Sequence, residues 1–472
     1  MDYKAQIEAY WNDPKQKEQL VDLISRLVAV RSVKEEAAPN APFGPGPAKC
    51  LDLALDLCGE LGFATENVDY YVGTADLNDK PTVLHILGHL DVVGEGKGWS
   101  SDPYTVVEKD GLLFGRGVAD DKGPVVAALL AMKCVRDLGI ELPYNAKLVL
   151  GTDEESGSED IEYYYKKVPF AKYTFSPDAE FPLINIEKGR FGPTFSQRFA
   201  PTDVTPRVVS AEGGFRFNVI PGEAEAFVAG LNAPAISAEL SRITKETGVT
   251  FSARSEENGC RIYAKGLGGH AAVPALSNNA LTALLKVLSV LPLAECDSTA
   301  AIRSLATLLP HGDHTGEALG MAVTDEISGS TSVAFTLFKL DEAGFEARFD
   351  ARTAISADDK NTRLPVEQAF TRHNIRFTGS MIHPPHHTPA ESPIVSKLLR
   401  CYETYTGVTN AKPLAIGGGT YVHDIPGGVA FGCEVEGFDC VMHGPDEKVQ
   451  IDTLLMSGKI FTQAIIDLCG ED

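Results

Sequence analysis

The chain has 472 residues and a formal net charge of −23, from 65 acidic and 42 basic side chains. That length implies at least two domains, and 44% hydrophobic residues imply ordinary cores rather than disorder. The acidic surplus argues against nucleic acid or an anionic membrane as partner.

The opening run MDYKAQIEAYWNDPKQKEQL is charged and lacks the apolar stretch of a secretory signal. No apolar run reaches the roughly 18 residues that a membrane span needs. The nine cysteines are scattered and form no CxxC pair, as expected of buried free thiols in a reducing compartment. A cytoplasmic location is the expectation.

A first helix is expected over 17–30, where Leu20, Leu23, Ile24, Leu27 and Val28 recur at helical spacing. A second covers 46–61. TVLHIL (82–87) reads as a buried strand. A turn at Ala119 then leads into an apolar helix reaching Gly139. AKLVLG (146–151) and residues 172–176 read as two more strands. Strands alternating with helices predict an α/β domain with a mainly parallel sheet.

Near Glu187 the pattern changes. Short β-like runs (RVVSAEGGFRFNV, GCRIYAKG, GFEARFDART) alternate with helices at 233–247, 278–292 and 360–373, as in an α+β domain. A helix at 393–406, the run VAFGCE and a final helix at 450–469 return to the first style. The expectation is a discontinuous α/β domain, 1–186 and 385–472, with an α+β domain inserted at 187–384.

Five segments place possible metal ligands where strands or glycine-rich runs end in loops. In GHLDVV, His89 and Asp91 lie two apart, so both point one way on an extended chain. His89 can ligate and Asp91 can orient a ligand. GRGVADDKG sets Asp120 just before a helix, where it either bridges two cations or caps the helix. GTDEESGS offers Glu154 and Glu155, whose side chains diverge on an extended segment and so can divide ligand and general-base roles. SPDAEFPL adds Asp178 and VMHGPDEK adds His443. Two histidines and three carboxylates without sulfur suit a pair of zinc ions, and strand ends are where open α/β sheets place their sites. HGDH (311–314) and HPPHH (383–387) read as exposed loops. IGGGTY lacks the GK[ST] of a phosphate loop, and the GxGxxD at 115–120 lacks the third glycine of a dinucleotide site.

These segments, with GLGGHAAVP and IGGGTY and in this order from about residue 82 to 447, resemble the M20 metallopeptidase family, and within it the bacterial and carnosine-type dipeptidases. The resemblance implies a zinc-peptidase-like catalytic domain with an inserted lid. It implies that His89 and Asp178 hold one Zn²⁺, that Glu155 and His443 hold the other, and that Asp120 bridges them, with Mn²⁺ or Co²⁺ as alternatives. It makes Glu154 the general base, Asp91 the residue that steers His89, and His270 the lid histidine that stabilises the tetrahedral intermediate. Asn218 in FNVIP, Arg352 and the Gly417, Gly418, Gly419, Thr420 segment would bind substrate, with Arg348 on the same strand face as the alternative to Arg352. The implied activity is hydrolysis of dipeptides or short peptides by a monomer. The competing readings are an M20 deacylase of N-acyl amino acids and a non-catalytic metal- or peptide-binding relative.

Overall fold

Leu84, Ile86, Leu148 and Leu150 pack on one side of their strands, and Leu87 and Val149 on the other. Side chains alternate along a strand, so strands apolar at successive positions must be covered on both faces. The computed structural model describes residues 3–379 and 381–470. The chain divides into two compact units. One comprises Met1–Ile186, His386–Leu414 and Gly419–Asp472, the other Glu187–Pro385 and Ala415–Gly418.

The first is an α/β unit. Its main sheet runs Ala64–Val68, Val72–Asp76, Asn145–Gly151, Thr82–His89, Tyr173–Ser176, Val429–Ala430, Ile184–Glu187, His386–His387. The centre is parallel: Thr82–His89 pairs with Asn145–Gly151 and with Tyr173–Ser176, which in turn pairs with Val429–Ala430. The flanks are antiparallel, so the sheet is more mixed than the sequence reading held. The outermost strand, ATENV, is polar and largely exposed, and it carries no apolar signal to predict it. Helices Lys122–Asp137, Ile451–Cys469 and Pro14–Val28 contribute to one apolar core. Ile161, Tyr164, Tyr421 and Ile425 pack with Leu87 and Val149 in a separate cluster.

The second is an α+β unit built on one antiparallel sheet. Its order is Thr250–Glu256, Gly259–Lys265, Glu223–Ala229, Arg207–Gly213, Ser332–Asp341, Gly344–Thr353, Thr194–Arg198, Arg376–Thr378. Helices Ala233–Thr247, Ala280–Val290, Asp297–Leu308 and Leu364–Arg372 share one core with it. The expected helix over 360–373 begins later, at Leu364, after a wider π-type turn over Asp359–Arg363. Pro365 has no N–H to donate back into that turn. Asp297–Leu308 was not anticipated, because small Ser, Thr and Ala residues dilute its apolar period.

HPPHH was expected to be exposed, yet His386 is buried and its Nε2 donates to the Gly428 carbonyl at 2.8 Å. His311, also expected in an exposed loop, is half-buried and meets Thr282 Oγ1 through Nδ1 at 2.9 Å. The cysteines are free thiols, and all but Cys296 are buried.

The short helix Lys4–Trp11 docks through Trp11, which is buried and donates from Nε1 to Thr462 at 3.1 Å. Its indole occupies the space that a Cβ on Gly458 would fill, in the middle of helix Ile451–Cys469. Gly458→Ala is therefore expected to destabilise the α/β unit by about 1–3 kcal/mol through overpacking, although alanine ordinarily gains about 1 kcal/mol over glycine inside a helix. Urea denaturation checks the sign. Adding Trp11→Leu should recover most of the loss, and a Gly458→Ala protein as stable as the original would refute the packing argument.

Candidate active site

Three parallel strands end side by side and set the site. Their register pairs His89 with Gly151 and Ile86 with Phe175, so the loops that follow emerge at one edge of the sheet. His89 closes the first strand. Glu154 and Glu155 follow the second in a single 3₁₀ turn, Glu154–Ser156, and Asp178 follows the third. Asp120 comes from the loop before helix Lys122–Asp137. His443 comes from the loop before strand Lys448–Gln450 and sits at φ +61°, a conformation uncommon for a residue with a side chain.

The Asp120 carboxylate lies between the two imidazoles. Its Oδ1 is 2.9 Å from His89 Nε2 and its Oδ2 is 2.9 Å from His443 Nε2. Asp178 Oδ2 stands 3.5 Å from His89 Nε2, and Glu155 Oε2 stands 3.1 Å from His443 Nε2. The ligand-capable atoms around Asp120 form two groups, each within 4.8 Å: His89, Glu154 and Asp178, and Asp120, Glu155 and His443. Glu154 thus lies on the His89 side and Glu155 on the His443 side. The two diverge as expected, but from a helical turn and not from an extended segment.

Asp91 holds that turn. Its Oδ1 and Oδ2 accept the Glu154 and Glu155 amides, each at 3.1 Å. His89 Nδ1 makes its closer contact with the Asp91 carbonyl, at 2.9 Å, and lies 3.5 Å from the Asp91 carboxylate. A proton on Nδ1 leaves Nε2 as the ligating nitrogen.

The electrostatics reflect crowding. Burial alone would lower the His89 pKa, but hydrogen bonds with Asp120, Asp178 and Asp91 raise it well above its ordinary value. Hydrogen bonds with Asp120 and then Glu155 push His443 up to about 11. Burial raises Glu154 well above the usual carboxylate range, and the nearby Asp178 and Glu155 charges add to this. Burial and the Asp120 charge push Glu155 up to about 7. Asp178 is raised by the same two causes. Asp120 moves the other way: burial opposes ionisation, but hydrogen bonds with His443 and His89 outweigh it. Protons therefore occupy much of the site in the absence of cations. Nitrogen and oxygen donors in two groups that share a carboxylate fit a pair of divalent cations.

The other candidates lie in the α+β unit, apart from Gly419 and Thr420. Val219 pairs with His270, and the Ala271 amide donates to the Asn218 carbonyl at 2.9 Å, so Asn218 and His270 are neighbours. His270 is exposed, and its Nδ1 accepts the Ala272 amide at 3.2 Å. Arg352 is buried. Asp350 grips it through Nε and Nη2 at 2.9 and 2.8 Å, and its Nη1 donates to the Gly417 carbonyl. Arg348, on the same strand, lies over the Phe217 ring at 4.3 Å. Ala272 and Arg352 flank Gly417, Gly418 meets Ile416, and Thr420 accepts the Val422 amide.

Sequence reasoning missed several supports. Asp121 accepts the His89 amide at 3.0 Å. Asp160 accepts the Thr152 and Asp153 amides and the Tyr421 hydroxyl. Glu447 pairs with Arg116. Arg116 carries a local signal, a charge set between two glycines, whereas Glu447 lies between Asp446 and Lys448 and carries none.

The chain is similar to known proteins along nearly its whole length. It is 33% identical over 460 residues to YtjP of Bacillus subtilis, covering 96% of this chain and 98% of that protein. It is 30% identical to the Beta-Ala-Xaa dipeptidase of Lactobacillus delbrueckii subsp. lactis, covering 97% of each. Among solved structures, human carnosine dipeptidase 1 superposes with a TM-score of 0.58 at 18% identity, over 99% of both chains. The model of peptidase family M20/M25/M40 matches residues 85–467, and the chain belongs to that family.

Proposed function

We propose that the chain is a dipeptidase that works with two divalent cations, zinc being the metal its donors suit best. The observation that carries this reading is the Asp120 carboxylate set between His89 and His443, each imidazole flanked by further acids. Relatives of nearly full length add support, one of them named as a dipeptidase.

His89 and Asp178 would hold one cation, Glu155 and His443 the other, and Asp120 both. Bound there, the ions supply a water of lowered pKa and a Lewis acid for the peptide carbonyl. Glu154 would take a proton from the attacking water and pass it to the leaving amine; its burial favours a high proton affinity. The Ala272 amide donates to His270 Nδ1, which puts the ring proton on Nε2 and makes that nitrogen a donor toward the developing oxyanion. Three of the five Arg352 N–H groups are bound to Asp350 and Gly417, and two remain for a substrate carboxylate. Asn218 and the segment Gly417 to Thr420 complete the substrate contacts. The inserted segment, about 187–384, is long enough for two lid-sized α+β halves, and that length is the ground for reading the chain as a monomer.

Comparing a dipeptide with its N-acetylated form tests the substrate class. The dipeptide is expected to have the higher kcat/KM, by at least about 100-fold if its ammonium group is recognised. Preference for the acetylated compound would favour the deacylase.

Glu154→Gln is expected to keep both metals and lose about 10²–10⁴-fold in kcat, whereas Glu155→Gln should lose metal. Elemental analysis decides this, because Glu154 stands with His89 and Asp178 and could itself be a ligand. Loss of metal from the Glu154 variant would reverse the roles.

Chelation should abolish activity reversibly, with two ions per chain restoring it. His89 and His443 have raised pKa values and Glu155 is near 7, so cations must displace protons. Apparent metal affinity should then fall as pH falls, about tenfold per pH unit for each proton displaced. An indicator dye in weak buffer reads the release. Full activity in metal-free protein would end the proposal.

A further inference from the structure

Glu447 is fully buried, four residues beyond His443, and its carboxylate faces the loop that carries Asp120. Oε1 accepts the amides of Gly117 at 2.9 Å, Ala119 at 3.0 Å and Asp120 at 3.3 Å. Oε2 meets Arg116 Nη1 at 2.6 Å. The guanidinium returns the connection, because Nη2 donates to the Gly444 carbonyl at 3.1 Å. The Gly115 amide donates to the Glu447 carbonyl at 3.0 Å, and the Trp99 ring lies 5.2 Å from the guanidinium. Each loop is thus tied to the other by side chain and backbone together.

A fully buried ion pair is a poor way to gain stability, because desolvation consumes most of its attraction and an apolar pair can fill the same space. It does impose direction. Three amides converging on one oxygen fix the path of residues 117–120, and Asp120 is the last of them. The other end of the tie, Gly444, adjoins His443. The link therefore sets the spacing between Asp120 and His443, whose contact defines one half of the site.

We propose that Glu447 and Arg116 are positioning residues that set the affinity of the His443-side metal position. The pair touches none of the ligand atoms and acts through the two loops. This rests on the two-cation reading, so the test must separate the two ideas.

The experiment titrates Zn²⁺ into metal-free protein against a chromophoric chelator, and records the Co²⁺ absorption spectrum and the thermal midpoint in parallel. Glu447→Gln keeps an oxygen for the three amides and removes the charge facing Arg116. The first ion is expected to bind as in the unaltered chain. The second should bind about 10–100-fold more weakly, with an altered Co²⁺ spectrum and turnover restored by excess metal. Two ions binding within about twofold of the original, with only the midpoint lowered, would reduce the pair to a structural tie and overturn the proposal. If Glu447→Gln does not fold, Arg116→Lys, which keeps the charge but loses the reach to Gly444, carries the same expectation. Failure of both to fold would make the pair a folding determinant and also overturn it. An unaltered chain that takes up fewer than two ions would instead overturn the two-cation reading, a result visible before any variant is made.

Discussion

Like charges confined together dominate this structure. Asp91, Asp120, Asp121, Glu154, Glu155 and Asp178 gather around His89 and His443 at the edge of one sheet. Two such charges about 4 Å apart repel by about 4 kcal/mol at the effective dielectric near a protein surface. Several of these pairs would threaten a domain whose whole stability is typically about 5–15 kcal/mol. Without cations the cost is met by protons, which is why His443 is raised to about 11 and Glu155 to about 7 while Asp120 stays ionised between two imidazoles. Such a set makes poor structural sense as a proton store and good sense as a cation site.

The same constraint explains where the loop amides go. Beyond a strand end, backbone N–H groups lose their sheet partners but still need acceptors. Here buried carboxylates supply them. Asp91 takes the amides of Glu154 and Glu155, Asp160 those of Thr152 and Asp153, Asp121 that of His89, and Glu447 those of Gly117, Ala119 and Asp120. A side-chain acceptor can hold a loop in a path that no regular element provides.

The elements that bury apolar side chains at a clear period were legible: the helix over 233–247 and the strands around His89, Gly151 and Ser176 lie within a residue or two of their expected bounds. The candidate ligand residues were legible as residue types at strand ends, and the five segments that carry them converge. What the sequence could not carry is direction. An extended segment and a helical turn both part Glu154 from Glu155; the structure has the turn, closed by the Asp91 carboxylate, a backbone path that the acidic run does not reveal. The run HPPHH, prolines and histidines, reads as an exposed loop, yet His386 is buried, with its Nε2 donating to the Gly428 carbonyl. Contacts between residues hundreds of positions apart, such as Arg116 with Glu447, leave no local period to detect.

The choice between Arg348 and Arg352 shows where spacing ends and chemistry begins. Four residues apart on one strand, they share a face, so periodicity ranks them equally. The structure separates them by what each cation meets. Arg348 lies over the Phe217 ring and donates from Nη2 to the Gly192 carbonyl at 3.3 Å, two partners that carry no net charge. Arg352 is clamped by Asp350 in a two-point geometry, so its charge is mostly spent, while its orientation is fixed as tightly as a side chain can be. A residue that must find a carboxylate from a distance needs net charge. One that must present two N–H groups at a set angle needs rigidity. The contact between Arg352 and the Gly417 carbonyl places the rigid arginine beside the glycine segment, where a carboxylate would be met by oriented donors rather than by attraction alone. This is the ground for the proposal that Arg352 would recognise the end of a short substrate, because orientation discriminates chain length and long-range attraction does not.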